Sequence, residues 1–495
     1  MSDFDFPLLE QSINGLQKMM ADGNYSAVQI TQMYLERIAQ IDAAGPSLNS
    51  VIETNPDAIA IAEALDHERS EGKVRGPLHG VPILLKDNID TGDKMLTTAG
   101  SLAMTHSPAP DDAELVQLLR ESGAIILGKT NLSEWANFRS SRSTSGWSSR
   151  NGQTRNAYAL DRNPSGSSSG SGVAVAASLC AAAIGTETDG SVVSPSAASG
   201  IVGIKPTVGL VSQDGIIPIS ASQDTAGPMA RTVADAAAVL SAIASKESGG
   251  RIDYTQFLEE NAFDGKRIGV ARQFFGKHPD SDKQMEQAIE TMRSLGAIVI
   301  DDIQMPPRNE WGSNEFQVLL YEFKNGLNQY LQTRGSDFPM KSLSDVIDFN
   351  NENRETVMPV FGQELLEMAE QKGNLEEEEY LEALLNCIEA SRINGLDVAL
   401  EQLDALVAPT RGPAWLTDHI HGDTATAGCS SYPAVAGYPH ITLPLGYSAG
   451  LPLNISFVGR PWEENILIGL AYAFEQANPV RQAPEFRSNS GILAS

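Results

Sequence analysis

Residues 163–200 read NPSGSSSGSGVAVAASLCAAAIGTETDGSVVSPSAASG, from Asn163 to Gly200. A Gly/Ser loop enters an unbroken run of small apolar residues. The texture predicts a helix over Gly172–Ile184 and a second loop from Gly185 to Ser191. Ala174, Ala176, Ala177, Ala181 and Ala182 have little bulk. A helix carrying them packs closely on its neighbours, and a chain that folds back brings the two loops toward one point.

Three readings of this stretch rest on residue pattern alone. A flexible Gly/Ser linker sits badly with the apolar sequence that resumes at once. A phosphate cradle at a helix N-terminus lacks the Gly-x4-Gly-Lys-Ser/Thr pattern. A nucleophile elbow is formally present, since Gly166-Ser167-Ser168-Ser169-Gly170 matches G-x-S-x-G. That motif needs a buried strand before it, and Ala157 to Pro164 is a poor one that ends in proline. It also needs a histidine. His419, His421 and His440 follow in the right order, without a distinguishing context.

Upstream, Val81 to Leu85 reads as a buried strand whose exit carries Lys86, Asp87 and Asn88. A helix over Val116–Glu121, a break at Gly123 and a strand over Ala124–Leu127 follow. Gln284–Leu295 and Ile298–Ile303 repeat the helix-to-strand order. This alternation predicts an α/β chain with a parallel or mixed sheet and helices on both faces. An N-terminal helical arm spans about residues 8–70. In it Ser26 and Gln29 form a capping box, and Ile30, Tyr34, Ile38 and Ile41 share a face until Gly45-Pro46 ends the helix. A second helix is expected over Pro56–Arg69. Residues about 305–400 read as an acidic helical insertion or cap, with Glu376 to Glu379 as a solvated helix start. Strands return at Ala405–Ala408, Ile441–Leu445 and Leu453–Val458, the last two joined through a hairpin-like turn containing Gly450. No long linker or internal repeat divides residues 1–495, so one domain is expected.

Apolar residues make up 41% of the chain and charged residues 20%, which excludes a largely disordered protein. The net charge of −28, from 63 acidic and 35 basic residues, repels phosphate backbones and argues against a nucleic-acid partner. Cys180, Cys387 and Cys429 have neither disulfide-framework nor metal-ligand spacing. Met1 to Phe6 has no basic start and no apolar core of an export signal, and no apolar run reaches membrane-spanning length. A cytoplasmic protein without a membrane partner is expected, although a removed export signal leaves no trace in this sequence.

The same segment resembles the signature of the amidase signature family, G-x-S-S-x-G-x-G, a small-residue stretch, then G-T-[DE]-x-x-G-S-[IV]. Further matches lie at Gly80 to Asp87, Gly128 to Leu132, Gly203 to Thr207, Asp224 to Pro228, Ala408 to Thr410 and Gly450 to Pro452. They cover nearly the whole chain. The resemblance implies a large twisted mixed β-sheet covered by α-helices on both faces. It also implies a serine hydrolase acting on linear carboxylic amides. Position by position, it implies Ser191 as nucleophile, Ser167 as the bridging serine in a cis peptide bond and Lys86 as base. The backbone amides of Thr188, Asp189, Gly190 and Ser191 would form the oxyanion hole. Trp135, Asn137 and Phe138 follow the Lys129 landmark and are candidates for the substrate pocket, with core packing the alternative for Trp135 and Phe138. Glu187 and Asp189 read as buried structural acceptors.

Asp189 stands where many members carry Gly, and Val193 where many carry Arg. Thr188-Asp189-Gly190-Ser191, Ser140 to Trp147 and Asn151 to Asn156 are similar to the bacterial peptide amidases, which remove C-terminal amides. A broad amidase on aryl or aliphatic amides is the alternative. Val193 and the acidic balance count against membership of the amidotransferase branch. No metal and no organic cofactor is expected. The expected partner is a small-molecule or peptide amide, and the expected assembly a monomer.

These residue types suit the chemistry. An amide needs an activated nucleophile, donors for the tetrahedral oxyanion and a proton for the leaving nitrogen. Lysine serves as a base only when neutral, and burial lowers its pKa from about 10.4 by as much as ~3–5 units. The apolar run before Lys86 is consistent with such burial. A charged lysine paired with Asp87 is the plainer reading of that residue alone.

Overall fold

The computed structural model describes residues 6–245, 252–301, 303–424 and 428–491. The acidic residues 1–5 and residue 302, the latter within the expected strand Ile298–Ile303, lie outside them. Thirteen strands form among the described residues: β1 (Val51–Thr54), β2 (Pro82–Lys86), β3 (Ile125–Thr130), β4 (Trp147–Ser148), β5 (Gly152–Gln153), β6 (Ala182–Glu187), β7 (Val202–Lys205), β8 (Thr225–Ala230), β9 (Arg267–Val270), β10 (Ile298–Ile300), β11 (Ala405–Pro409), β12 (His440–Ser448) and β13 (Leu451–Val458). All but β4 and β5 join one 11-stranded sheet in the order β1-β3-β2-β6-β8-β7-β12-β13-β11-β9-β10.

The sheet is mixed. β3, β2 and β6 run parallel, as do β11, β9 and β10, and the pairs between them are antiparallel. Every residue of β2, β3, β6, β7, β8, β11 and β13 is buried. Strands buried on both faces require cover on both faces, and helices supply it, as the α/β pattern predicted.

The stretch that suggested a helix over Gly172–Ile184 folds differently. The helix is Ser169–Ala176, and the chain then turns at Ser178 (φ 54°) and runs out as the central strand β6. A short apolar run fits a buried helix and a buried strand equally by periodicity. Pairing decides it, because Ala182 to Ile184 fill the register opposite Ile83 to Leu85 of β2. The helix crosses so close to its surroundings that a Cβ at Gly170 would lie 2.2 Å from the Ser50 carbonyl oxygen.

Elsewhere the expected elements appear with shifted ends. Ser26 and Gln29 form the predicted capping box at the start of helix Ala27–Arg37. The arm also holds a helix, Ile13–Ala21, that the pattern did not reveal, and its strand β1 pairs with β3 at the sheet edge. β12 and β13 turn on Ala449-Gly450, both at positive φ (48° and 74°), a two-residue reversal. Between β10 and β11 the chain is mainly helical, and its longest helix, Gly312–Thr333, matters below because Gly326, Gln329, Tyr330 and Thr333 wall a cavity. No helix among the described residues is long and apolar enough to cross a membrane.

Candidate active site

The C-terminal ends of β2 and β6 lie side by side, because the two strands are parallel neighbours. Lys86 closes β2 and Thr186 lies near the end of β6. Lys86 is fully buried, and its Nζ lies 2.8 Å from Ser167 Oγ, 2.8 Å from Thr186 Oγ1 and 3.1 Å from the Thr186 carbonyl oxygen. Burial pulls the Lys86 ammonium down from 10.5 to about 7, against the opposing pull of the Asp224 and Glu187 carboxylates. A lysine held charged by Asp87 is not what forms. Asp87 accepts instead from Thr98, Gly100 and Arg150.

Ser167 follows a cis Gly166–Ser167 peptide bond. Its neighbour Ser168 ties the two halves of the signature together. The Ser168 N–H donates to the Ser191 carbonyl (3.2 Å), and Ser168 Oγ donates to the Thr186 carbonyl (3.0 Å) and accepts from the Thr186 N–H (3.2 Å). Ser169 Oγ donates to the Ser165 carbonyl at 2.6 Å. The separated serine loops of the sequence thus meet beside one lysine.

Ser191 sits in the turn between β6 and helix Val193–Ala198. Glu187 holds that turn, since its Oε2 accepts from the Val192 and Val193 N–H groups at 2.7 and 3.0 Å. Asp189 accepts from Ser430 Oγ and Ser431 Oγ, both at 2.6 Å. Thr188 Oγ1 donates to Asp224 Oδ1 at 2.6 Å. Gly190 lies at φ 79°, where a side chain would be strained and its Cβ would approach Ser430 Oγ to 2.9 Å. Among the described residues, the N–H groups of Thr188, Asp189, Gly190 and Ser191 donate no hydrogen bond. A run of unpaired amides on a tight turn forms a concavity suited to a negative oxygen.

This constellation is accompanied by similarity along nearly the entire chain. The family model described as Amidase matches residues 29–468. The chain belongs to the amidase signature family. It is 48% identical to the native peptide amidase of Stenotrophomonas maltophilia, a crystal structure that superimposes with a TM-score of 0.92 over 97% of this chain and 99% of that one. A probable amidase of Arabidopsis thaliana is 42% identical over 97% of this chain and 92% of its own length. A glutamyl-tRNA(Gln) amidotransferase component from Thermoanaerobacter pseudethanolicus is 32% identical, over 97% and 98% respectively. The protein is therefore an amidase, an amide hydrolase of this family.

The amidase has a cavity of about 490 Å³ next to the lysine cluster, walled in part by Asn88, Thr186, Thr188 and Asp224. Of the segment proposed for substrate contact, Ala136 reaches its wall. Trp135 and Phe138 are buried and pack against Phe323, with ring centroids 6.4 and 5.0 Å apart. Asn137 is partly exposed and donates to Ser145 Oγ at 3.2 Å. Trp135, Ala136 and Asn137 all have positive φ (52°, 52° and 71°), a sharp local reversal in the amidase backbone. Thr186, Asn88 and Asp224 carry no role in the sequence reading. Thr186 was visible as the threonine of the second signature loop. Asn88 donates to Thr186 Oγ1 at 3.0 Å, a contact between distant parts of the chain that only the fold reveals.

Proposed function

We propose that this amidase uses Ser191 as nucleophile, Ser167 as proton relay and Lys86 as base, and that its substrates are C-terminal peptide amides. The observation that carries the mechanism is the lysine's environment: a buried amine that is substantially neutral near pH 7, in contact with the Ser167 hydroxyl. Neutral Lys86 has two N–H bonds and one lone pair. The Thr186 carbonyl oxygen can only accept, and Thr186 Oγ1 offers a second acceptor. With both N–H bonds turned to Thr186, the lone pair faces Ser167.

In this reading Ser167 passes its proton to Lys86 and takes one from Ser191, whose oxygen attacks the amide carbon. The amides of Thr188 to Ser191 receive the developing oxyanion. The proton returns from Lys86 through Ser167 to the leaving nitrogen, and the C–N bond breaks with release of ammonia. Water then enters by the same route, deacylates Ser191 and yields the free acid. One water is consumed for each amide cleaved. Similarity to the peptide amidase over nearly its full length supports the substrate class.

The test is ammonia release from a panel of peptide amides, free asparagine and glutamine, fatty amides and aryl amides, with Ser191→Ala as control. Peptide amides should be the best substrates. Each should gain about 1 Da as NH₂ becomes OH, with internal peptide bonds intact and the Ser191→Ala protein folded but inert. Shorter fragments as main products, or rapid aryl-amide cleavage with inert peptide amides, would overturn the substrate class. Substantial activity in Ser191→Ala would overturn the mechanism.

A further inference from the structure

Between Thr188 and Ser191 the last peptide group is aimed by the backbone. The Gly190 carbonyl accepts from the Ser194 N–H at 2.8 Å, in the first turn of helix Val193–Ala198. In a planar trans peptide the C=O and the N–H point to opposite sides, so this bond also fixes the direction of the Ser191 N–H. The Thr188–Asp189 peptide has no such backbone partner. Among the described residues, the donor to its carbonyl is a side chain, Gln223 Nε2 at 3.3 Å. Ser430 and Ser431 hold the Asp189 carboxylate from elsewhere. A tether on a side chain leaves the preceding peptide free to turn about its two Cα atoms, whereas a bond to the carbonyl stops that turn.

Gln223 is itself well held. It is 1% exposed and lies in a turn before β8, where the N–H groups of Gln223 and Asp224 both donate to the Ser220 carbonyl, at 3.1 and 2.8 Å. Its Nε2 also donates to Glu315 Oε1 at 3.2 Å, and Glu315 Oε2 pairs with Arg308. Glu315 is buried in the first turn of helix Gly312–Thr333. The Thr188 carbonyl can only accept, so the nitrogen is the end of the Gln223 amide that must face it. Both N–H bonds of Nε2 are used, one toward the helix and one toward the turn. Gln223 is a strut between them.

We propose that Gln223 is a positioning residue for the oxyanion hole: by holding the Thr188 carbonyl it keeps the Asp189 N–H turned toward the developing negative oxygen. It touches neither the substrate nor the reacting atoms. This role rests on the reading of Ser191 as nucleophile and of the Thr188 to Ser191 amides as the hole.

The test uses Gln223→Met, similar in length and volume but without a donor, and two peptide-derived inhibitors. One ends in an aldehyde. Ser191 Oγ adds to its carbonyl carbon, the C=O π bond opens to an oxyanion, and the serine proton passes through Ser167 to Lys86. The other is the matching alcohol, which cannot form that adduct. The aldehyde should bind the unmodified enzyme more tightly than the alcohol, and Ser191→Ala should abolish the difference. In Gln223→Met the aldehyde Ki should rise about 10- to 100-fold, less than the 10²–10³ that accompanies outright loss of a donor. The alcohol Ki should stay unchanged. On the amide cleaved best, kcat should fall by a similar factor with KM within about twofold. Gln223→Asn, whose amide stops one carbon short, should show the same pattern. A residue that merely stabilises the fold would lower the amount of active enzyme and move neither Ki. An unchanged aldehyde Ki in the two variants, or equal weakening of aldehyde and alcohol, overturns the role of Gln223 and leaves the hole intact. An aldehyde that binds the unmodified enzyme no more tightly than the alcohol overturns the hole, and the role with it.

Discussion

If Lys86 is the base, the pH dependence of kcat/KM should report its titration. The amine must be neutral to accept a proton, so activity is high above its pKa and falls as pH drops through it. Burial places that pKa at about 7 rather than 10.5. Activity on an amide whose chemistry limits turnover should therefore be half-maximal near pH 7. It should fall about tenfold per unit below pH 6, reaching about one-hundredth of the plateau at pH 5. An exposed lysine would be neutral in only about one molecule in a few thousand at pH 7, so desolvation raises the supply of base by about three orders of magnitude. The assay is ammonia release across pH at several temperatures, since an amine ionisation shifts with temperature far more than a carboxylate's. Lys86→Ala should lose about 10²–10⁴ on amides and less on an activated ester, whose leaving group needs no proton. Lys86→Arg should rescue neither activity, because guanidinium stays charged. A limb centred in the carboxylate range and insensitive to temperature would refute the assignment. Full activity in Lys86→Arg would do the same.

Two further substitutions probe the surroundings of that amine. Asp224 is the first of the carboxylates that hold the Lys86 pKa up, so Asp224→Asn should move the acid limb to lower pH. Were the limb Asp224's own titration, which burial raises to about 6, the substitution would abolish it instead. Thr186→Val removes one acceptor for Lys86 Nζ and the partner of Asn88 Nδ2, and should lower kcat about tenfold with little change in KM, the mark of a positioning residue. Thr186→Ser should restore it; a lasting defect in Thr186→Ser would show that the methyl group's packing matters rather than the hydroxyl.

What the sequence disclosed depended on whether the information was local. The capping box at Ser26 and Gln29 was legible because both of its hydrogen bonds join residues three apart. β2 was legible because its apolar run is only five residues long and carries Pro82 just after Gly80, too short and too broken for a helix. The split of the signature between helix and strand was not. Ala174 and Ala183 look alike in sequence, yet one lies in a helix and the other pairs with Leu84 across the sheet. That difference arises from partners distant in the chain. The resemblance drew Lys86, Ser167 and Ser191 out of three separate stretches, and the fold places Lys86 against Ser167 and joins the loops of Ser167 and Ser191 through Ser168.

The surroundings of those residues were hidden for the same reason. Asn88, Thr186 and Asp224 belong to three different elements or turns, and nothing in their spacing tells that Thr186 receives both Lys86 and Asn88 while the Asp224 charge acts on the same amine. Trp135 and Phe138 show the opposite failure. Their aromatic character suits a pocket and a core alike, and the partner that decides is Phe323, on a helix far along the chain. The acidic composition was equally ambiguous when read as a total. A charge of −28 is a total that does not say which carboxylates share a wall, whereas the fold gathers Asp90, Asp111, Asp112, Asp214 and Asp224 around one cavity.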